Sequence, residues 1–220
     1  MTSTKYYAHT SESENKATWQ PLKTHLLNVA ELASRFAADF NSEEYAYAAG
    51  ILHDLGKYSM EFQNLLDGER IKVDHSTAGA QEARSRYSPL QCLILGYAIA
   101  GHHTGLMNYG SKESGFRSRF SKNIPDYSKY REELVLPDLD GVGLKIKGNN
   151  NSAGFTIAFF IRMLFSCLVD ADSLDTEQFC NPDRALLRGK YDDFDTLREK
   201  FYDHMNKIRS NADINEINNL

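Results

Sequence analysis

An all-α fold is predicted by three features of this sequence. Apolar residues recur at steps of three and four over several stretches, which is the mark of amphipathic helices. Strand-like alternation is confined to one short pair, Glu133–Leu136 and Val142–Ile146. The 220 residues, 41% hydrophobic and 11% aromatic, suffice for one sizeable core without covalent staples.

Each element follows from the pattern. From Leu22 to Phe40 the apolar positions Leu22, Leu26, Val29, Ala30, Ala33, Phe36, Ala37 and Phe40 mark the first helix, stopped by Asn41-Ser42. Ser42 reads as the N-cap of a second helix through Tyr45, Ala49 and Leu52, ending at His53-Asp54. After the turn-like Leu66-Asp67-Gly68-Glu69, His75-Ser76 opens a helix of small residues, and Pro89 suits the first turn of the next, Leu90 to Ala100. Phe155–Val169 is the most hydrophobic run. It is shorter than the roughly 20 residues a bilayer demands and carries Arg162 near its centre, so a buried central helix ending at Asp170 and Asp172 is expected. Phe194, Leu197, Phe201, Met205 and Ile208 define a last helix, and the Asn- and Asp-rich tail should fray. With no repeat and no dividing linker, one domain over 1–220 is expected, with its core at about 6–177 and its last helix at about 194–209.

Composition narrows the function classes. A net charge of −5 excludes a protein that coats nucleic acid by bulk charge, though not a local basic patch. Cys92, Cys167 and Cys180 form no C-x-x-C pair, which excludes a zinc ribbon or disulfide scaffold and points to a reducing cytoplasm. Met1–Asn15 is polar and acidic where a secretory signal requires an apolar core, and no membrane partner is expected.

The stretch from Thr104 to Ser152 is predicted to be a long irregular insertion, rich in Gly, Ser, Asn and Lys. Between Thr104 and Arg131 it carries Lys112, Arg117, Arg119, Lys122, Lys129 and Arg131 against only Glu113 and Asp126. Tyr109, Phe116, Phe120, Tyr127 and Tyr130 are interleaved. Cations among stacking faces suit single-stranded nucleic acid, which makes Lys112, Arg117, Arg119 and Lys122 candidate strand contacts. A solvated loop with its aromatics turned into the core is the alternative.

The chemistry-bearing residues gather at helix ends. His25 lies on the inward face of the first helix. His53-Asp54-Leu55-Gly56-Lys57 ends the second, Asp74-His75 precedes the third, Gly101-His102-His103 ends the apolar helix, and Asp170 and Asp172 follow the most hydrophobic run. A buried carboxylate without a partner costs several kcal/mol or more, so such residues find cations or metals. Imidazole and carboxylate donors without thiolate favour Mn, Fe, Co or Ni, with Mg also accommodated. Each piece has an ordinary alternative: a hydrogen-bonded core histidine, a helix C-cap, or a surface carboxylate. The complete ordered set is hard to assemble by accident.

That set resembles the HD metal-dependent phosphohydrolase superfamily, whose signature is an ordered His…His-Asp…Asp. More narrowly, it resembles the HD nuclease domain of the type I CRISPR helicase-nucleases. Trp19-Gln20-Pro21-Leu22 ahead of His25, His53–Lys57, Asp74-His75-Ser76, Gly101-His102-His103 and Asp170–Asp175 carry the resemblance, over about Tyr6 to Glu177. The resemblance implies an HD-type helical bundle with two divalent ions. His25, His53, Asp54 and Asp172 would hold one. Asp54 would bridge to a second, held by His75, His102 and His103. Asp170 is the alternative to Asp172, or a partner orienting a ligating histidine. Lys57 would bind the scissile phosphate or stabilise its developing charge. The implied activity is cleavage of single-stranded DNA in CRISPR interference, alongside a helicase subunit and an RNA-guided surveillance complex. The chain lacks a G-x-x-x-x-G-K-[ST] loop, so ATP-driven unwinding is not expected of it. Two alternatives stay open, an HD phosphohydrolase acting on a nucleotide or other small phosphate ester, and a non-catalytic helical scaffold.

Overall fold

The computed structural model describes residues 6–144, 152–189 and 191–211. Helix accounts for 63% of the chain and strand for 3%, as an all-α HD-type bundle requires. The chain forms two compact units, Met1–Asn181 and Pro182–Leu220.

The first unit opens with β1 (Tyr7–His9), which pairs antiparallel with β2 (Gln20–Pro21). α1 (Leu22–Ala37) buries Leu22, His25, Leu26, Val29, Ala30 and Ala33 along one face. A 3-10 turn continues it to Phe40, and Asn41 adopts left-handed backbone (φ 52°) to break it. α2 (Glu43–Leu52) packs tightly on α1. A Cβ at Gly50 would sit 2.4 Å from the Ala30 Cα, so only glycine permits this approach. Ser42 stands at the N-terminus of α2, but its hydroxyl donates to the Phe40 carbonyl rather than capping the helix.

α3 (Met60–Leu66) is capped by the Ser59 hydroxyl, which accepts from the Phe62 amide. α4 (Ser76–Arg86) begins under Asp74, whose carboxylate accepts from the Thr77 amide and hydroxyl. α5 (Pro89–Gly101) starts in a capping box between Ser88 and Gln91 and buries nearly all its apolar residues.

The insertion contains α6 (Phe116–Arg119) and a 3-10 turn at Ser128–Glu132, and the rest of its described part is irregular. It is laced to α4 and α5. Tyr130 and Tyr127 donate to the Glu82 carboxylate, Tyr87 to the Pro137 carbonyl, and Gln91 to the Leu139 carbonyl. Phe116, Tyr130, Leu134, Leu136 and Leu139 are buried. The expected strand at Glu133–Leu136 does not form, because alternate residues there serve as core anchors without a partner strand. Of its expected mate, Val142–Leu144 is irregular, and Lys145 and Ile146 lie outside the described residues.

α7 (Ala153–Cys180) corrects two expectations. It runs well past Asp170 and Asp172, and by length and composition it could cross a membrane. It is also only half covered. Phe160, Ile161, Leu164, Cys167, Leu168 and Ala171 face α1, α2 and α5, whereas Phe155, Phe159 and Met163 are exposed. The second unit holds α8 (Pro182–Ala185) and α9 (Phe194–Asn211), the latter carrying the predicted apolar stripe. The fraying tail predicted beyond Asn211 lies outside the described residues.

Candidate metal centre

Two helices end at the centre by the same local device. His53 closes α2 and His102 closes α5, each with Nδ1 against the carbonyl three residues back (Gly50 at 2.7 Å, Ile99 at 2.6 Å). A carbonyl only accepts, so Nδ1 carries the proton and Nε2 keeps its lone pair. Each histidine thus satisfies a helix-end carbonyl and turns a donor nitrogen inward.

His25 reaches the same state through a carboxylate. Its Nδ1 donates to Asp175 Oδ2 at 2.6 Å, and Gln20 Nε2 (2.7 Å) and Asn28 Nδ2 (2.7 Å) donate to the same carboxylate. Burial opposes protonation of His25, but the carboxylates of Asp175 and Asp54 outweigh it and raise its pKa, so Nε2 would bind an ion in exchange for a proton. Asp175 was not singled out by sequence reasoning. Asp170, proposed for that role, is exposed, because on a continuous helix it points away from the face shared by Ala171 and Asp175.

Asp54 lies at the middle of the cluster, fully buried. Its Oδ2 is 3.6 Å from His25 Nε2 and 3.4 Å from His53 Nε2. Its Oδ1 is 3.4 Å from both His75 Nε2 and His102 Nε2. Asp172 closes the first side, with Oδ1 3.4 Å from His25 Nε2 and 3.8 Å from His53 Nε2. His103 closes the second, its Nε2 2.8 Å from that of His75. The structure therefore brings together all seven candidate ligands, in two groups that meet at Asp54. Ligand atoms of His25, His53 and Asp54, and likewise those of Asp54, His75, His102 and His103, lie within 4.8 Å of one another.

The donors fit divalent ions. The Nε2 atoms of His25, His53 and His102 and both Asp54 oxygens are buried without a hydrogen-bond partner. Five such atoms around one point would be costly in an ordinary core, whereas cations satisfy them all. Burial disfavours ionisation of Asp54, yet Lys57 and the surrounding imidazoles hold its pKa well below the usual carboxylate range. Asp172 is depressed too, by His53 and His25 against burial. Burial and His102 push His103 down to about 4, keeping it neutral and able to ligate.

Lys57 lies against the shared carboxylate of the cluster. It is buried, with Nζ 2.7 Å from Asp54 Oδ2 in an ion pair without hydrogen-bond geometry, and it donates to the Ala8 carbonyl at 3.3 Å. Its role here is the counter-charge of Asp54. Gln63 fixes the surroundings, donating to the carbonyls of Lys57 (2.7 Å) and Tyr7 (3.1 Å). Gly56 supplies the remaining constraint. A Cβ there would lie 2.3 Å from the His75 carbonyl oxygen, so glycine lets the backbone of His75 come alongside the His53–Lys57 turn. His9, also missed from sequence, stacks edge-on against His25 with centroids 5.2 Å apart.

The four predicted strand contacts separate into two pairs. Arg119 donates to Asp74 Oδ2 at 3.0 Å, and Lys122 pairs with the same carboxylate. Their single shared carboxylate offsets one of the two positive charges beside His75. Lys112 and Arg117 remain exposed, with no carboxylate partner among the described residues. Of the interleaved aromatics, Phe116 and Tyr130 belong to the core and Tyr109 is exposed.

Paired His/Asp groups sharing one buried carboxylate make a candidate centre for divalent ions, and the HD domain that the chain contains implies a metal-dependent hydrolase of phosphate esters. The chain belongs to the HD domain family, whose profile matches residues 22–139, more than half its length. His25, His53, Asp54, His75, His102 and His103 fall inside the match, and Asp172 and Asp175 beyond it. No curated protein matches the chain.

Proposed function

We propose that this HD phosphohydrolase is a nuclease that cuts single-stranded DNA with two divalent transition-metal ions, in the cytoplasm and in CRISPR interference. The observation carrying the reading is Asp54, whose two oxygens face different imidazole groups. The chemistry that bound divalent ions supply is polarisation of a phosphoryl group and activation of water. His25, His53, Asp54 and Asp172 would hold one ion, and Asp54, His75, His102 and His103 the other. The protein's own part is positional. Asp175 and the two helix-end carbonyls aim three imidazoles, and Lys57 keeps Asp54 ionised. The His103 edge is exposed, which gives an extended phosphodiester a way in. A helicase subunit and an RNA-guided surveillance complex are the partners this reading proposes.

Pairing of Arg119 and Lys122 with Asp74 favours a second reading, hydrolysis of a nucleotide or other small phosphate ester. One experiment separates the two: elemental analysis of the loaded protein together with assays on single-stranded DNA and a nucleotide panel across Mn, Co, Ni, Mg and Zn. Metal-dependent strand cleavage, abolished by chelation and by Asp54→Ala, is expected. Turnover confined to the nucleotides would replace the nuclease reading.

A further inference from the structure

At the ends of α4 and α5 away from His75 and His102, these helices and the insertion line a cleft of about 770 Å³. Three cations line it: Arg84 from α4, and Lys112 and Arg117 from the insertion. All three are exposed, and none has a carboxylate within ion-pair distance among the described residues. Arg84 lies over the Phe120 ring at 4.9 Å and Arg117 over Tyr109 at 5.7 Å, so both guanidinium groups are held against aromatic planes. No acidic residue lines this cleft. It shares Lys112 and Ser121 with a second cavity of about 730 Å³, which begins at Thr104, the residue after His103, and has Glu113 as its one carboxylate. The shared residues make the two cavities neighbours, and a strand laid over both would follow a path from the Thr104 end toward Arg84. Arg84 is nine residues beyond His75, so at 1.5 Å per residue the path runs about 14 Å along α4. That is at most about four phosphates at roughly 3.4 Å each along one strand.

We propose that this cleft is a strand-guiding site, where Arg84, Lys112 and Arg117 hold phosphates of a single-stranded nucleic acid several nucleotides from the bond being cut. The proposal rests on the nuclease reading above and adds where the strand lies. It also changes the residues involved. Arg84 lies outside the basic segment recognised in the sequence, while Arg119 and Lys122 serve to clasp Asp74.

The test uses the full chain and a fluorescein-labelled oligo(dT), with binding read by anisotropy across a salt series in chelator so that nothing is cut. For the triple variant R84Q/K112Q/R117Q, affinity at low salt should fall on the order of tenfold or more, and the slope of log affinity against log salt should shrink by about 2, from three contacts at about 0.7 each. Unchanged melting temperature and metal content would show that the variant is folded. If the triple variant melts early, Arg84→Gln alone should still lower the slope and Arg84→Lys should restore it. Equal affinity and slope in wild type and variant would overturn the proposal, as would failure of the wild type to bind the oligonucleotide. Turnover of bis(p-nitrophenyl) phosphate by the wild type reads the metal centre separately. A protein that binds the strand through these cations yet never cuts it would keep the cleft and sink the nuclease.

Discussion

Asp175→Asn should remove a metal ion without touching any group that holds one. In the native protein the Asp175 carboxylate accepts from His25 at 2.6 Å, Gln20 at 2.7 Å and Asn28 at 2.7 Å. An ionised carboxylate cannot donate, so His25 has to carry its proton on Nδ1 and leave Nε2 bare toward Asp54 and Asp172. An amide of the same shape offers one oxygen and an NH2 group. Gln20 and Asn28 bring their own donors and compete for that oxygen, while the NH2 group favours the His25 tautomer with Nδ1 bare and Nε2 protonated. In that tautomer Nε2 can bind no ion. Loss of a partner that orients a ligating histidine typically lowers metal affinity 10- to 100-fold, which is about 1.4–2.8 kcal/mol. Titration of the metal-free protein with Mn or Co by calorimetry should show one class of sites weakened by that factor and the other intact. His25→Ala should weaken the same class, and the double variant should be no worse than His25→Ala alone, since Asp175 acts through His25. Identical isotherms for wild type and Asp175→Asn would refute the tautomer argument.

Three further outcomes follow from the geometry. Gly56→Ala places a Cβ 2.3 Å from the His75 carbonyl oxygen and 2.5 Å from its Cα, both backbone atoms; His75 has to move, and we expect a loss of about 1–3 kcal/mol in stability together with weaker binding of the ion on the Asp54 Oδ1 side, read by chemical denaturation and metal titration. Asp172→Asn should cut metal affinity at least tenfold while Asp170→Asn leaves it unchanged, because only the former faces His25 and His53; elemental analysis of the two variants after dialysis decides it. In the metal-free protein Asp74 contributes a pH-dependent term. Burial raises its pKa, but Lys122, Thr77 and Arg119 outweigh that and lower it to about 2. Its stabilisation is complete above the unfolded pKa near 3.9 and is lost as pH falls from about 4 toward 2, by at most about 2.6 kcal/mol. Acid denaturation followed by circular dichroism should show a shallower slope in that window for Asp74→Asn, and an unchanged slope would contradict the clasp.

How much of this was legible in the sequence depended on whether a residue acts through its own segment or through a distant one. His53 and His102 could be read as helix-end residues because the cap is a local event, completed by carbonyls three positions back. His25 could be read from the periodicity of α1. The partner that orients His25 could not, since Asp175 lies 150 residues away on a helix that the polar run Asp170–Asp175 seemed to terminate. Carrying the 3.6-residue period three positions past Asp172 would have placed Asp175 near the same face. The hairpin of β1 and β2 was illegible for another reason. With strands of three and two residues it offers no alternation to detect, yet it delivers the Ala8 carbonyl to Lys57 and His9 to His25.

The basic insertion shows where composition misleads. Counting charges gave Lys112, Arg117, Arg119 and Lys122 one common role, but charge count carries no information about partners. Asp74 pairs with both Arg119 and Lys122 and, through Thr77, also fixes the first turn of α4 directly after His75. That carboxylate ties the insertion to the helix start that follows His75, on the Asp54 Oδ1 side of the centre. The Oδ2 side is anchored by Asp175 on α7 and the Gly50 carbonyl on α2, and His102 on the Oδ1 side by the Ile99 carbonyl on α5. Asp74 therefore acts on the half of the centre that opens at the exposed His103 edge, while the Oδ2 half depends on contacts outside the insertion.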